Sequence, residues 1–132
     1  MRQDIERRIA TFIATNDRAV AAVYLFGSTA RDEARPDSDV DVAVLFNEAP
    51  PATLRSPRFS LEGELERALG RRVDVVTLND APVDLRIRVL REGHLLVDRT
   101  PSARIAFEVR TRNEAFDFEP ILTRYRAARK TA

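Results

Sequence analysis

The chain has 132 residues, room for one domain built around one modest hydrophobic core. Hydrophobic residues make up 44% and charged residues 33%, a balance that folds and keeps a well-solvated surface. The formal net charge of +1 gives no case for a polyanion-binding surface, so no direct nucleic-acid binding is expected. The absence of cysteine excludes disulfides and thiolate metal sites. The N-terminal stretch MRQDIERRIATF is charged and lacks the apolar core of a signal peptide, and no apolar run approaches membrane-spanning length. The expectation is a soluble, cytoplasmic protein with no membrane association.

Ile5, Ile9, Phe12 and Ile13 recur at helical spacing and predict an amphipathic helix ending near Asn16. Residues 21–26 (AAVYLF) form a short apolar run that stops at Gly27, the pattern of a buried strand. A polar stretch follows, with a short helix over 29–34 and a break at Pro36. Val40, Val42 and Val44 alternate with Asp39, Asp41 and Ala43, which predicts a second strand. Residues 47–56 contain two adjacent prolines and no periodicity, and read as a loop. Phe59, Leu61, Leu65 and Leu69 mark a helix ended by Gly70, and 73–78 alternate as a third strand. Asp80 is a candidate cap for a helix over 82–92, with Gly93 placed to end it. Residues 94–97 read as a short strand or an extended link. Thr100-Pro101 opens a final helix, with a break or bend expected at Pro120. This order predicts an α/β (α+β) domain spanning 1–132, a small mixed sheet with helices packed on it, in which 100–132 is a C-terminal helical segment.

The chemistry concentrates in carboxylates. Asp39 and Asp41 lie two apart on a predicted strand, so they share a face with backbones roughly 6.6 Å apart. Carboxylates held that close repel one another unless a cation sits between them. Ligands that are oxygen only, with no histidine or cysteine among them, favour Mg²⁺, or Mn²⁺ in its place. A one-residue slip would bury both charges, so Val40, Val42 and Val44 fix the register. Asp74, opposite in face to Val73, Val75 and Thr77, is the natural third carboxylate if its strand pairs beside the first. Three carboxylates suit a two-ion site. The plain alternative for Asp74 is a surface ion pair with Arg71 and Arg72. Gly27 and Ser28 end a buried strand where free amides and a hydroxyl can approach a phosphate, though a strand-Gly-Ser sequence is also an ordinary turn. Arg31 divides evenly between contacting a triphosphate and pairing with Asp32 or Asp37. His94, the single histidine, reads as structural or solvated, and Arg86, Arg88 and Arg91 as a solvated helix face, with nucleotide or acidic-partner binding as a minority reading. Phe116, Phe118, Ile121, Leu122 and Tyr125 gather apolar surface around Pro120. For Phe116 packing on the chain's own core is at least as favoured as docking on a partner, and for the others a partner surface is a serious alternative to core packing.

Gly27-Ser28, ten intervening residues and Asp39-Val40-Asp41 resemble the motif of the DNA polymerase β-like nucleotidyltransferase superfamily. The longer stretch LFGSTARDEARPDSDVDVAVLF resembles its smallest branch, the minimal nucleotidyltransferases, as does RRVDVVTLND, where that branch carries its third carboxylate. The segment VLREGHLLVDRTPSARIAFEVRTRNEAFDF is similar to the C-terminal half of MntA-type antitoxins of HEPN/MNT toxin–antitoxin systems. The resemblance implies a polymerase β-like fold and transfer of AMP from ATP, with Mg²⁺, to a tyrosine of a HEPN-domain ribonuclease toxin. It implies that Gly27 and Ser28 hold the triphosphate, that Asp39 and Asp41 hold metal ions, and that Asp74 completes the second site and helps deprotonate the acceptor. Many relatives carry glycine where this chain has Asp32, which leaves open whether that carboxylate weakens nucleotide binding or points to solvent. Two other readings stand beside it: a small-molecule nucleotidyltransferase of the aminoglycoside type, for which the chain has no room for a second helical domain, and an antitoxin that acts by binding alone.

Overall fold

The computed structural model describes residues 1–15, 19–50 and 57–131, with side chains as far as residue 117. Four strands, β1 (Val20–Phe26), β2 (Val40–Phe46), β3 (Val73–Thr77) and β4 (His94–Asp98), form one mixed sheet in the order β3-β2-β1-β4. β1 runs antiparallel to both β2 and β4, while β2 and β3 run parallel. A parallel pair needs a crossover, and α3 (Pro57–Leu69) supplies it.

Strand periodicity divides the core into two layers. Val23 and Leu25 of β1, Val40, Val42 and Val44 of β2 and Val73 and Val75 of β3 face one side. There they meet Ile5, Ile9 and Ile13 of α1 (Arg2–Thr15) and Leu61, Leu65 and Leu69 of α3. Ala22, Tyr24, Phe26, Ala43 and Leu45 face the other side, against Val89 of α4 (Val83–Glu92) and Phe107 of α5 (Pro101–Thr131). β1 and β2 are covered on both faces, which is why their sequences are nearly continuous apolar runs. Among the described residues, no helix is long and apolar enough to cross a membrane.

α5 is fastened to the sheet by polar contacts as well. The Tyr24 hydroxyl donates to Glu108 at 2.8 Å, and burial together with that carboxylate holds the phenol well above its usual range, so it stays protonated. Arg104 bridges Asp98 at 3.0 Å and Glu108 at 3.1 Å. At the open edge of the sheet, the Val73 and Val75 amides donate to Glu66 (3.2 Å) and Glu62 (2.9 Å) of α3.

Several sequence expectations need correcting. The short helix is α2 (Gly27–Ala30), not 29–34, and the chain leaves it through Asp32 in a left-handed conformation (φ 57°) that a helix cannot continue. α4 is entered from Pro82 with no side-chain cap, so Asp80 does not cap it. α5 is a single helix that passes Pro120 to end at Thr131, so there is no break. Arg86 is not on a solvated face: it donates to the Ala81 carbonyl (3.0 Å) and Thr111 (3.2 Å) and pairs with Glu114, joining α4 to α5. Phe116 does not pack on the core but is 81% exposed, because it lies past the last turn of α5 that meets the sheet. Residues 94–98 are a true strand. Asn16 and residues 51–56 lie outside the described residues, as do the side chains of Phe118, Ile121, Leu122 and Tyr125.

Candidate active site

The parallel pairing of β2 with β3 sets Asp41 directly beside Asp74, with Val40 against Val73 and Val42 against Val75 on either side. Alternation then places both carboxylates on the sheet face covered by α4 and α5, at the end where both strands begin. Asp39 immediately precedes β2 and shares Asp41's parity. The turn that delivers it is pinned by Arg71, which donates to the carbonyls of Arg35 (3.0 Å) and Ser38 (2.6 Å). Arg71 is thus engaged away from Asp74, and the surface-pair reading of Asp74 does not hold.

Asp39, Asp41 and Asp74 make no ion pair or side-chain hydrogen bond with any described residue. Burial raises the pKa of Asp41, and the neighbouring Asp74 and Asp39 charges add to the effect, while Arg88 and Arg31 oppose it. This is the electrostatic cost of gathering acids in one place without a cation.

Gly27 closes the site from the β1 side. Its φ of 75° lies in the left-handed region, and a Cβ there would overlap the Asp41 carboxylate. Glycine is therefore required twice, by the backbone and by the acid it touches. Ser28 follows, half-buried at the start of α2; Thr29 beneath it is buried, with a hydroxyl that has no hydrogen-bond partner. His94 donates from Nε2 to the Ala30 carbonyl at 3.0 Å and so holds the end of α2. Gly93 packs so closely on the Leu25 and Val89 carbonyls that no side chain fits there.

Arg31 pairs with neither Asp32 nor Asp37. Its guanidinium bridges Glu33 at 3.1 Å and Glu92 at 3.0 Å, because the end of α2 faces the end of α4. Asp32 is drawn off to Arg2 at 3.0 Å, away from the loop. Its positive φ is a conformation that glycine adopts without steric cost. Sequence reasoning gave too little weight to Arg88, whose guanidinium lies 5.9 Å from the Phe26 ring centroid and 3.3 Å from Glu92. Phe26 is the register partner of Asp41, so Arg88 stands at the rim of the acidic site. The i,i+4 spacing of Arg88 and Glu92 was readable, but their place beside Asp41 required the fold.

The family model described as polymerase beta, nucleotidyltransferase matches residues 8–102. The chain belongs to that family. All of the residues just described between Gly27 and His94 fall inside the matched segment. Within the family, the protein adenylyltransferase MntA of Thermococcus cleftensis is 42% identical over 73 residues, 55% of this chain and 71% of that protein. Among solved structures, a chain of a toxin–antitoxin complex with AMP-PNP superposes with a TM-score of 0.71 at 26% identity, covering 91% of this chain and 97% of that one. A chain from the complex of tri-AMPylated Shewanella oneidensis HEPN toxin with MNT antitoxin gives 0.67 at 26% identity, covering 95% and 98%. The mixed sheet and its flanking helices are the polymerase β-like nucleotidyltransferase fold.

Proposed function

We propose that this chain is an antitoxin protein adenylyltransferase, which moves AMP from ATP to a tyrosine hydroxyl of a cognate HEPN ribonuclease toxin and so silences it. The observation that carries this reading is the β2–β3 register, which sets Asp41 against Asp74 with Asp39 on the same face, all three without an ion pair among the described residues. Support for the acceptor comes from the protein adenylyltransferase MntA and the AMPylated HEPN toxin complex to which the chain is similar. A cytoplasmic setting fits a reaction that consumes ATP.

The donor set suits Mg²⁺, with Mn²⁺ as a substitute, because it is all carboxylate oxygen and lacks counter-ions. Among the described residues, no three acidic or imidazole side chains already enclose one point. Mg²⁺ is commonly held by one or two carboxylates with substrate phosphates completing its shell, and this open arrangement fits that habit. Asp39 and Asp41 would hold both ions and Asp74 the second. When bound, the ions supply positive charge for the triphosphate and lower the pKa of the acceptor hydroxyl.

The protein's own part is positioning. Gly27 lets the backbone approach the triphosphate, Ser28 donates a hydroxyl, and Arg31 and Arg88 contribute positive charge at the rim. The tyrosine oxygen forms a bond to the α-phosphorus as the bond to the bridging oxygen of the β-phosphate breaks, and pyrophosphate leaves. Asp74 accepts the tyrosine proton. The partner docks on the 100–132 segment and the groove between α4 and α5, where Ile87, Leu90, Ala115 and exposed Phe116 are flanked by Arg91 and Arg112.

The test is incubation with ATP labelled on the α-phosphate, Mg²⁺ and the candidate toxin. Label should appear on the toxin and vanish with Asp39→Ala or Asp41→Ala. A tight complex that never acquires label would sink the proposal.

A further inference from the structure

Two arginines stand beside three unpaired carboxylates, yet neither pairs with any of them. Arg31 and Arg88 both act electrostatically on Asp41, but their guanidiniums go to one carboxylate oxygen of Glu92, at 3.0 and 3.3 Å. Glu92 is the last residue of α4, where the negative end of the helix dipole disfavours a carboxylate. Its position is thus unfavourable for the helix itself and suited to the two cations.

The two arginines differ in what else restrains them. Arg31 keeps a second partner in Glu33 at 3.1 Å. Arg88 pairs with no other anion among the described residues, and its only further contact of note is the Phe26 ring. Loss of Glu92 would therefore release Arg88 in particular, at the rim of a site whose carboxylates lack counter-ions. The released guanidinium would fall onto Asp41 or its neighbours and compete with any cation for the same oxygens.

We propose that Glu92 is a positioning residue that holds Arg88 off the Asp39, Asp41 and Asp74 carboxylates, keeping them free for a divalent cation. The proposal rests on the reading of these three residues as a metal site. It predicts a variant that is defective in cation binding although it has lost no ligand.

Binding of Mn²⁺ alone to the purified protein, followed by loss of the free-ion paramagnetic resonance signal, tests this without any turnover. Glu92→Ala should weaken Mn²⁺ binding about three- to fivefold, the range of one exposed ion pair in competition. Adding Arg88→Ala to Glu92→Ala should return affinity to the wild-type value, because the competitor is gone. Thermal unfolding of Glu92→Ala without metal should stay near wild type, whereas a merely structural role would lower it and would not be rescued by Arg88→Ala. Unchanged Mn²⁺ affinity in Glu92→Ala, or failure of the double variant to recover, overturns the proposal while leaving the metal site intact. Wild-type protein that binds Mn²⁺ neither alone nor with a non-hydrolysable ATP analogue, or Mn²⁺ binding that survives Asp41→Asn, overturns the metal site itself.

Discussion

Asp41 concentrates the conflict between folding and chemistry. Its pKa is raised chiefly by burial and then by Asp74, so the folded chain binds a proton at this carboxyl more tightly than the unfolded chain does. The sign follows: between the ordinary carboxylate pKa and the raised one, stability falls as pH rises, and at neutral pH the ionised group is a net cost. In metal-free buffer, Asp41→Asn should therefore unfold at a higher temperature than wild type at pH 7. The difference should shrink as pH drops below the usual aspartate range, which paired melts across pH would show. The same change should abolish AMP transfer, so stability and activity move in opposite directions. Gly27 makes a companion case. Gly27→Ala forces a Cβ onto a left-handed backbone and against the Asp41 carboxylate. We expect a loss of about 1–2 kcal/mol in urea unfolding, with transfer reduced far more than that loss of fold explains. Asp41 and Gly27 were both legible before the fold was known, because strand alternation and the Gly-Ser turn are local patterns.

At the scale of elements, the junction from α4 into β4 governs the placement of α2. Glu92 reaches Arg31 and His94 holds the Ala30 carbonyl, so both grip the loop from behind, while Gly93 between them packs on the Leu25 and Val89 carbonyls. Gly93→Ala should cost about 1–3 kcal/mol from overpacking, read by chemical denaturation, and should also loosen the loop. This grip is what the sequence concealed. The strands, most of the helices and the face carrying the acids follow from periods of two and of three to four residues. The Arg31–Glu92 bridge joins residues 61 positions apart and leaves no periodic trace. For the same reason Arg86 read as a solvated position when it is a seam between α4 and α5. The short helix was misplaced because the backbone torsions of Gly27 and Asp32, not apolar spacing, set its limits.

Over the whole molecule, α5 passes from sheet to surface: Phe107 is fully packed, whereas Phe116 is exposed. Deleting residues 117–132 should weaken capture of the toxin while leaving ATP affinity unchanged, a split that calorimetry with each ligand separately would reveal. Equal toxin affinity in the truncated chain would remove the tail from the interface. The sheet edge beside the acidic site imposes a further condition. With the Val73 and Val75 amides already committed to Glu66 and Glu62, β3 offers an approaching peptide no free donors at these positions. These two amides are therefore closed to an acceptor that would extend the sheet with its own backbone, the mode by which some domains capture extended peptides. On the proposed reading, the acceptor would then be presented by the surface of a folded partner rather than as a strand laid along β3.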